Sequence, residues 1–190
     1  MIEYGEILVR IKGVTPLLMN RISVNSLLKR SNRIRDKLEE EDFEKQARES
    51  AYIDEIDGKK QLYIPAEAVY RCLLNGAKGK REKSTKISLV RLLAGSVRIE
   101  PEKIPLGTDK YEIDIRPVVI QKSRVLKARA KVPKWEAEFK IIYNKRLQPI
   151  IDKIKECLEE AGVTYGLLDY RPERGGNFGV FEVIKFEILK

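Results

Sequence analysis

The amino-acid sequence predicts an α+β fold, in which one antiparallel sheet is crossed by two helices in the chain order βαββαβ. Three observations lead to this prediction. Several short segments alternate apolar and polar residues at every second position, which is typical of half-buried strands. Two other segments carry apolar residues at helical spacing, and each follows a proline and ends near a glycine. The chain has 190 residues, enough for one domain with its own core.

The first strand is predicted at residues 6–13, where isoleucine and valine alternate with mostly charged residues. The next part of the chain, residues 20–58, has long charged runs such as KLEEEDFEKQARE and only a thin apolar stripe. We therefore expect a charged helical arm, inserted after the first strand and only lightly packed on the rest of the domain.

The first crossover helix is predicted at residues 66–75, because Pro65 suits its first turn and apolar residues recur there at helical spacing. A short helix at residues 87–94 and a strand at residues 96–99 follow. Residues 111–126 are rich in β-branched side chains and predict one further strand.

Residues 135–143 alternate aromatic or aliphatic side chains with charged ones and predict the next strand. The second crossover helix follows Pro149 and ends at Gly162. A last strand is predicted at residues 178–189. Its inward side chains are expected to be Phe178, Val180, Ile184, Phe186 and Ile188. Without the short helix at residues 87–94 and the short strand at residues 96–99, this order of elements is the ferredoxin-like pattern βαββαβ, and we expect a single such domain over residues 1–190.

The composition excludes several classes of enzyme. The chain contains no histidine, which excludes Ser–His and Cys–His catalysis and histidine zinc sites. Its two cysteines, Cys72 and Cys157, are far apart and indicate neither a disulfide framework nor a CxxC metal site, which suits a reducing cytoplasm. We expect neither a transmembrane segment nor a signal peptide. We predict no cofactor, no metal site and no enzymatic activity.

The chain is basic, with 38 Lys and Arg against 29 Asp and Glu and a net charge of +9. A polyanion is therefore a natural partner. The high density of both signs of charge is also typical of heat-adapted proteins. The positions of the charges along the chain distinguish these two interpretations.

Much of the positive charge lies in the basic segment, residues 116–134, which has seven basic residues and no acidic one. Its candidate nucleic-acid contacts are Arg116, Lys122, Arg124, Lys127, Arg129 and Lys131. In an extended chain the last three share one side at a spacing of about 6–7 Å, close to the phosphate separation along a single strand. The alternative is a solvated edge strand that its lysines protect from aggregation.

A second basic cluster follows the first crossover helix. Its candidate contacts are Lys78, Lys80 and Arg81, which would form a second wall of the same groove. The alternative is a helix end whose cations complement the helix dipole, followed by a charged, solvated loop.

The third candidate is the glycine-rich segment, GLLDYRPERGGNFGVFEV at residues 166–183. Its Gly175, Gly176 and Gly179 would let a phosphate approach the backbone amides, and Arg171 and Arg174 would supply positive charge. The segment lacks the GK[ST] ending of a P-loop, and it follows a helix rather than a strand, unlike a dinucleotide site. The alternative is a long turn whose arginines pair with its own carboxylates.

Aromatic rings at the same surface would stack on bases of any identity. Tyr170 and Phe181 are the candidates for this role, because the alternation of the predicted strands directs Trp135, Phe139 and Phe178 into the core.

Longer stretches resemble known families. GVTPLLMNR, LYIPAEAVYRCLLNGAK, SRVLKARAKVPKWEAEF and the glycine-rich segment together resemble a family of small phage and archaeal-virus proteins of poorly defined role. The likeness covers residues 9–183. It implies an origin in a virus or mobile element.

IKGVTPLL, IPAEAVYRCLL and the ending GVFEV resemble the RAMP superfamily, the ferredoxin-like RNA-binding subunits of CRISPR effector complexes. In that family the glycine-rich loop contacts RNA, and the resemblance carries this role to Arg174, Gly175, Gly176 and Gly179. It also implies that residues 127–131 belong to a hairpin lying across the bound strand. The chain departs from the family in having only one ferredoxin-like unit and no catalytic histidine, so the resemblance implies binding rather than cleavage.

We therefore predict a cytoplasmic, RRM- or RAMP-like protein of a virus or mobile element. It would bind single-stranded DNA or RNA without sequence preference, as several copies along the strand. One alternative is a viral structural or assembly protein that oligomerises through the same surfaces, and another is a metal-independent nuclease. The leading prediction requires the basic segment and the glycine-rich segment to meet in space.

Overall fold

A four-stranded antiparallel sheet lies at the centre of the computed structural model, which describes residues 3–22, 42–120 and 122–189. In chain order the elements are β1 (Tyr4–Gly13), β2 (Leu17–Leu18), α1 (Phe43–Ser50), β3 (Ile53–Ile56), β4 (Lys59–Pro65), α2 (Ala66–Gly76), α3 (Leu89–Ala94), β5 (Val97–Glu100), β6 (Lys103–Pro105), β7 (Glu112–Ile120), β8 (Ser123–Val132), β9 (Glu136–Asn144), α4 (Ile151–Thr164) and β10 (Phe181–Leu189). The central sheet has the strand order β10-β1-β9-β5. Two three-stranded groups, β2-β8-β7 and β3-β4-β6, flank it.

The core lies between the central sheet and the helices α2 and α4. On β1, Ile7, Val9 and Ile11 are fully buried, as their alternation with polar residues predicts. The two helices contact each other, and the thiol of Cys72 in α2 donates to the carbonyl oxygen of Ala161 in α4 at 3.6 Å. The predicted first strand and both crossover helices are therefore present.

The opposite face of the central sheet is charged. The Arg10 guanidinium on β1 lies 2.8 Å from the Glu138 carboxylate on β9, and the Lys140 ammonium group lies 2.8 Å from the Glu6 carboxylate. These pairs are half-exposed, so this face is a solvated surface of balanced charge.

The region expected to be one strand at residues 111–126 is instead an antiparallel hairpin, β7–β8, that turns between Ile120 and Ser123. That expectation was wrong because β-branched residues continue on both sides of a turn that contains neither glycine nor proline. Lys122 takes the left-handed conformation there, with φ of 68°. The hairpin directs the basic segment along β8 and folds it back on β7.

The described part of the expected charged arm is packed more closely on the domain than the sequence predicted. Residues 23–41 lie outside the described residues, but α1 packs firmly on β8. Ala47 is fully buried, the Gln46 side chain accepts from the amide of Ala128, and the Ser50 hydroxyl oxygen accepts from the amide of Ala130 at 2.8 Å. The chain then forms the β3–β4 hairpin rather than a helix.

The inward face of the last strand also differs from the prediction. The strand begins at Phe181, which is fully buried, whereas Ile184 and Ile188 are exposed. Between Arg10 and Ile11 the register with β1 shifts, which leaves Ile184 as an extra residue on β10. Such a bulge exchanges the inward and outward positions, so Val183 rather than Ile184 packs on the core, whereas Phe186 beyond the bulge faces the core as predicted. Among the described residues no helix has the length and apolarity to cross a bilayer.

Candidate nucleic-acid interface

The β7–β8 hairpin and the glycine-rich segment lie against each other. The Arg129 guanidinium on β8 donates to the Asp169 carboxylate at 2.5 Å. On β7, the Arg116 Cζ lies 4.8 Å from the centroid of the Phe178 ring. The two regions that the sequence singled out therefore meet in space.

The register of the hairpin explains the electrostatics of this surface. Lys127, Arg129 and Lys131 share one side of β8, and their cross-strand partners on β7 are Arg116, Asp114 and Glu112 in that order. The Lys131 ammonium group lies 2.7 Å from the Glu112 carboxylate. Carboxylates that immediately precede the basic segment in sequence thus fold back onto it and neutralise part of its charge.

Arg129 is removed from the candidate phosphate contacts, because it is only 6% exposed and is paired with Asp169. Its Nε has no hydrogen-bond partner among the described residues. The ammonium group of the neighbouring Lys127 donates to the side-chain oxygen of Asn20 at 2.8 Å. The central part of the predicted phosphate-binding row therefore ties the hairpin to the rest of the protein.

The glycines of the glycine-rich segment close the loop on itself. A Cβ at Gly176 would lie 1.8 Å from the Tyr170 carbonyl oxygen, and one at Gly179 would lie 2.0 Å from the Leu167 carbonyl oxygen. The amides of Gly175, Gly176 and Gly179 all donate to carbonyl oxygens of the protein. The expectation that these amides point at a phosphate was wrong, because they are used in folding the loop.

The two arginines of this segment differ. Arg171 donates to the Glu173 carboxylate at 2.7 and 3.0 Å and to the Leu168 carbonyl oxygen at 2.7 Å, as the alternative of a self-paired turn predicted. Arg174 is exposed and has no ion pair with the described residues. Arg174 is therefore available to an anion, whereas Arg171 is largely engaged.

The two aromatic candidates have opposite surroundings. Tyr170 is 40% exposed, and its ring centroid lies 6.0 Å from that of Phe178. Phe181 is fully buried, with its ring centroid 6.4 Å from that of Trp135. Phe181 is therefore corrected from a stacking residue to a core residue, and Tyr170 remains a stacking candidate.

The second basic cluster is divided between two surfaces. The Lys78 ammonium group lies 4.0 Å from the Glu173 carboxylate, which brings the end of α2 next to the glycine-rich segment. Lys80 pairs with Glu160 of α4 at 2.5 Å, and Arg81 donates to a carbonyl oxygen in its own loop at 3.2 Å. Lys78 is therefore the member of this cluster that adjoins the other candidates.

A cleft of about 700 Å³ lies between α2 and the glycine-rich segment. Its lining includes Tyr52, Arg71, Asn75, Asp169 and Arg171. Sequence reasoning missed Tyr52 as a neighbour of this site, because it lies within the expected charged arm, residues 20–58, and no motif marks it. Pro65 predicts where α2 begins, but it does not predict which residues of the helix line the cleft.

The two cysteines of the chain lie in buried positions. Burial raises the pKa of the Cys72 thiol to about 12, and burial also raises the pKa of Cys157. Among residues 3–22, 42–120 and 122–189, no three Cys, Asp or Glu side chains are grouped as metal ligands would be. Both thiols are buried, and burial disfavours their thiolate forms.

No protein-family model matches the chain, and no curated protein is similar to it. Two solved structures share its fold. A chain in the cryo-EM structure of the type III-B Cmr-β complex bound to cognate target RNA superposes with a TM-score of 0.62 at 14% identity; the match covers 99% of this chain and 61% of that one. The crystal structure of Cmr6 from Pyrococcus furiosus gives a TM-score of 0.51 at 11% identity, covering 96% of this chain and 99% of the other.

This chain thus spans about three fifths of the first structure's chain and nearly all of Cmr6. The resemblance to the phage and archaeal-virus family receives no support from these comparisons. In its mixed α+β architecture with antiparallel sheets, the protein has a fold similar to that of these two structures.

Proposed function

We propose that this chain is a RAMP-like subunit that binds single-stranded nucleic acid, RNA in the first instance, without sequence preference. The bound strand would cross the surface formed by the β7–β8 hairpin, the glycine-rich segment and the end of α2. The observation that carries this proposal is the contact between the hairpin and the glycine-rich segment, made by Arg129 and Asp169. Exposed cations lie near that contact on the glycine-rich segment, at Arg174, and at the turn of the hairpin, at Lys122 and Arg124.

The phosphate contacts in this proposal are the cations that the fold leaves uncompensated. Lys122, Arg124 and Arg174 are exposed and have no ion pair with the described residues. In the described part of the chain the Lys78 ammonium group lies 4.0 Å from the Glu173 carboxylate and 5.8 Å from the centroid of the Tyr165 ring. Contacts of this kind give affinity without reading bases, because every nucleotide carries the same phosphate.

A ferredoxin-like core is part of the proposal. The elements β1, α2, β5, β9, α4 and β10 follow the order βαββαβ, and the strand order β10-β1-β9-β5 supports this assignment. The remaining strands and α1 are then insertions in one domain.

RNA is placed first because one of the similar chains belongs to a complex bound to cognate target RNA. The same likeness supports a role as one subunit of a larger assembly. Binding without cleavage, cytoplasmic location, several copies along one strand and an origin in a virus or mobile element remain predictions from the sequence.

The test is an electrophoretic titration of the full chain with single-stranded RNA, single-stranded DNA and duplex, each at two salt concentrations. We expect the single strands to bind more tightly than the duplex, and the affinity to fall as salt rises. Incubation of the same labelled strands in chelator should leave them intact. Equal binding of duplex and single strands, or no binding at low salt, would contradict the proposal.

Assembly through protein contacts is the second candidate, and one observation favours it. The hairpin face turned away from the glycine-rich segment is exposed and apolar beyond the area that α1 covers. Its exposed apolar side chains are Ile113, Ile115, Val119 and Leu126. Light scattering with and without an oligonucleotide separates the two, since ordered assembly of the protein alone supports the second.

A further inference from the structure

Arg116 lies where two aromatic rings and a carboxylate meet. Its Cζ is 4.8 Å from the centroid of the Phe178 ring and 5.9 Å from that of the Tyr170 ring. Its Nε donates to the buried Asp114 carboxylate at 2.6 Å. The protein therefore holds the guanidinium through one carboxylate and two rings, while 41% of the side chain stays exposed.

This arrangement disfavours a phosphate contact. The positive charge of Arg116 is compensated by the adjacent Asp114, so an approaching phosphate would also meet that carboxylate. A guanidinium that packs over a ring is planar and keeps its outer face for a second flat group. The arrangement thus favours a ligand that is flat rather than one that is charged.

We propose that Arg116 stacks an unpaired nucleobase on the outer face of its guanidinium, above the rings of Phe178 and Tyr170. This inference rests on the proposed function and specifies how the same surface holds a base. Unstacked bases pack on arginine planes as well as on aromatic rings. Stacking does not depend on base identity, which agrees with binding without sequence preference.

Arg98 offers a matched control on the central sheet. Its Cζ lies 5.0 Å from the centroid of the Tyr4 ring, and its Nε donates to the Glu100 carboxylate at 2.8 Å. This side chain is exposed as well, so it repeats the arrangement of ring, guanidinium and carboxylate on strand β5 instead of on the hairpin.

The experiment compares R116K and R116Y with R98K and R98Y in the full chain. Fluorescence anisotropy measures binding to a labelled oligoadenylate RNA and to an abasic strand of equal length, over a range of salt concentrations. R116K keeps the charge and removes the plane, so we expect about a tenfold loss on oligoadenylate and none on the abasic strand. R116Y keeps a plane, so we expect binding within about twofold of wild type with an unchanged salt slope. Both Arg98 variants should match wild type.

Two outcomes overturn the inference. If R116K binds oligoadenylate like the wild type while R116Y binds weakly with a shallower salt slope, Arg116 contacts a phosphate. If all variants bind alike, it contacts neither base nor phosphate. Should R116Y melt at a much lower temperature, the comparison of R116K on oligoadenylate and abasic strands still decides the question. Failure of the wild type to bind any strand is a different result, because it removes the proposed function itself.

Discussion

Arg129 and Asp169 are 40 residues apart in the sequence, yet the guanidinium of one donates to the carboxylate of the other at 2.5 Å. Arg129 is almost fully buried and Asp169 is partly exposed. This ion pair joins the β7–β8 hairpin to the glycine-rich segment, so the shape of the proposed binding surface depends on it.

We expect Asp169→Ala to lower the free energy of unfolding by about 2–4 kcal/mol, because it leaves a buried guanidinium without its counter-charge. The measurement is urea denaturation followed by circular dichroism. Glu138→Ala is the control, since it breaks the half-exposed pair with Arg10 and should cost less than about 1 kcal/mol. Equal decreases in the free energy of unfolding for the two substitutions would show that the buried pair stabilises the fold no more than the half-exposed pair does.

Gly176→Ala should destabilise the protein by about 2–3 kcal/mol, because the new methyl group would overlap the carbonyl oxygen of Tyr170. Thermal and urea unfolding provide the measurement. Gly95→Ala is the matched control, as nothing lies within 4 Å of a Cβ there and its φ of −104° suits any residue. A stable Gly176→Ala variant would mean that the loop has another conformation.

The cations without ion pairs should determine the salt dependence of binding. A triple alanine variant is expected to flatten the slope of log K against log salt by about 0.7 for each phosphate that the variant no longer neutralises, as found for single strands. The substituted residues are Lys122, Arg124 and Arg174.

A second triple variant removes paired cations from the central sheet and should leave the slope unchanged. Its substituted residues are Arg10, Arg98 and Lys140. Filter binding over a range of salt concentrations measures both variants. If the central-sheet variant shows the larger decrease in slope, the strand binds to that face instead.

Tyr170→Ala should weaken binding of single strands, whereas Phe181→Leu should lower the stability of the fold. Tyr170 is exposed, so its loss should weaken binding of single strands by about 1–3 kcal/mol with an unchanged salt slope. Phe181 lies in the core, so its truncation should lower the melting temperature and leave the affinity of the folded protein unchanged. Calorimetry and anisotropy measure the two effects. If Phe181→Leu weakened binding and Tyr170→Ala lowered only the melting temperature, Phe181 would instead belong to the binding surface.

The hydrophobic periodicity of the sequence predicted the strands and helices that bury one face. The period of two in β1 and β9 and the helical spacing after Pro65 and Pro149 each reflect one face that must be buried. The leading prediction required the basic and glycine-rich segments to be neighbours, and the contact between Arg129 and Asp169 meets that requirement. The turn at Lys122 escaped it, because no residue type there demands a turn.

By itself the sequence determined the strands β1 and β9 and the helices after Pro65 and Pro149, which enzyme classes lack their residues, and which stretches carry the positive charge. Only the tertiary structure decided which of those cations remain uncompensated. Cross-strand register brings Glu112 opposite Lys131, and the folding of the loop brings Asp169 to Arg129. The physical reason is that the charge of a surface depends on all the side chains that meet there, and distance along the chain does not give distance in space.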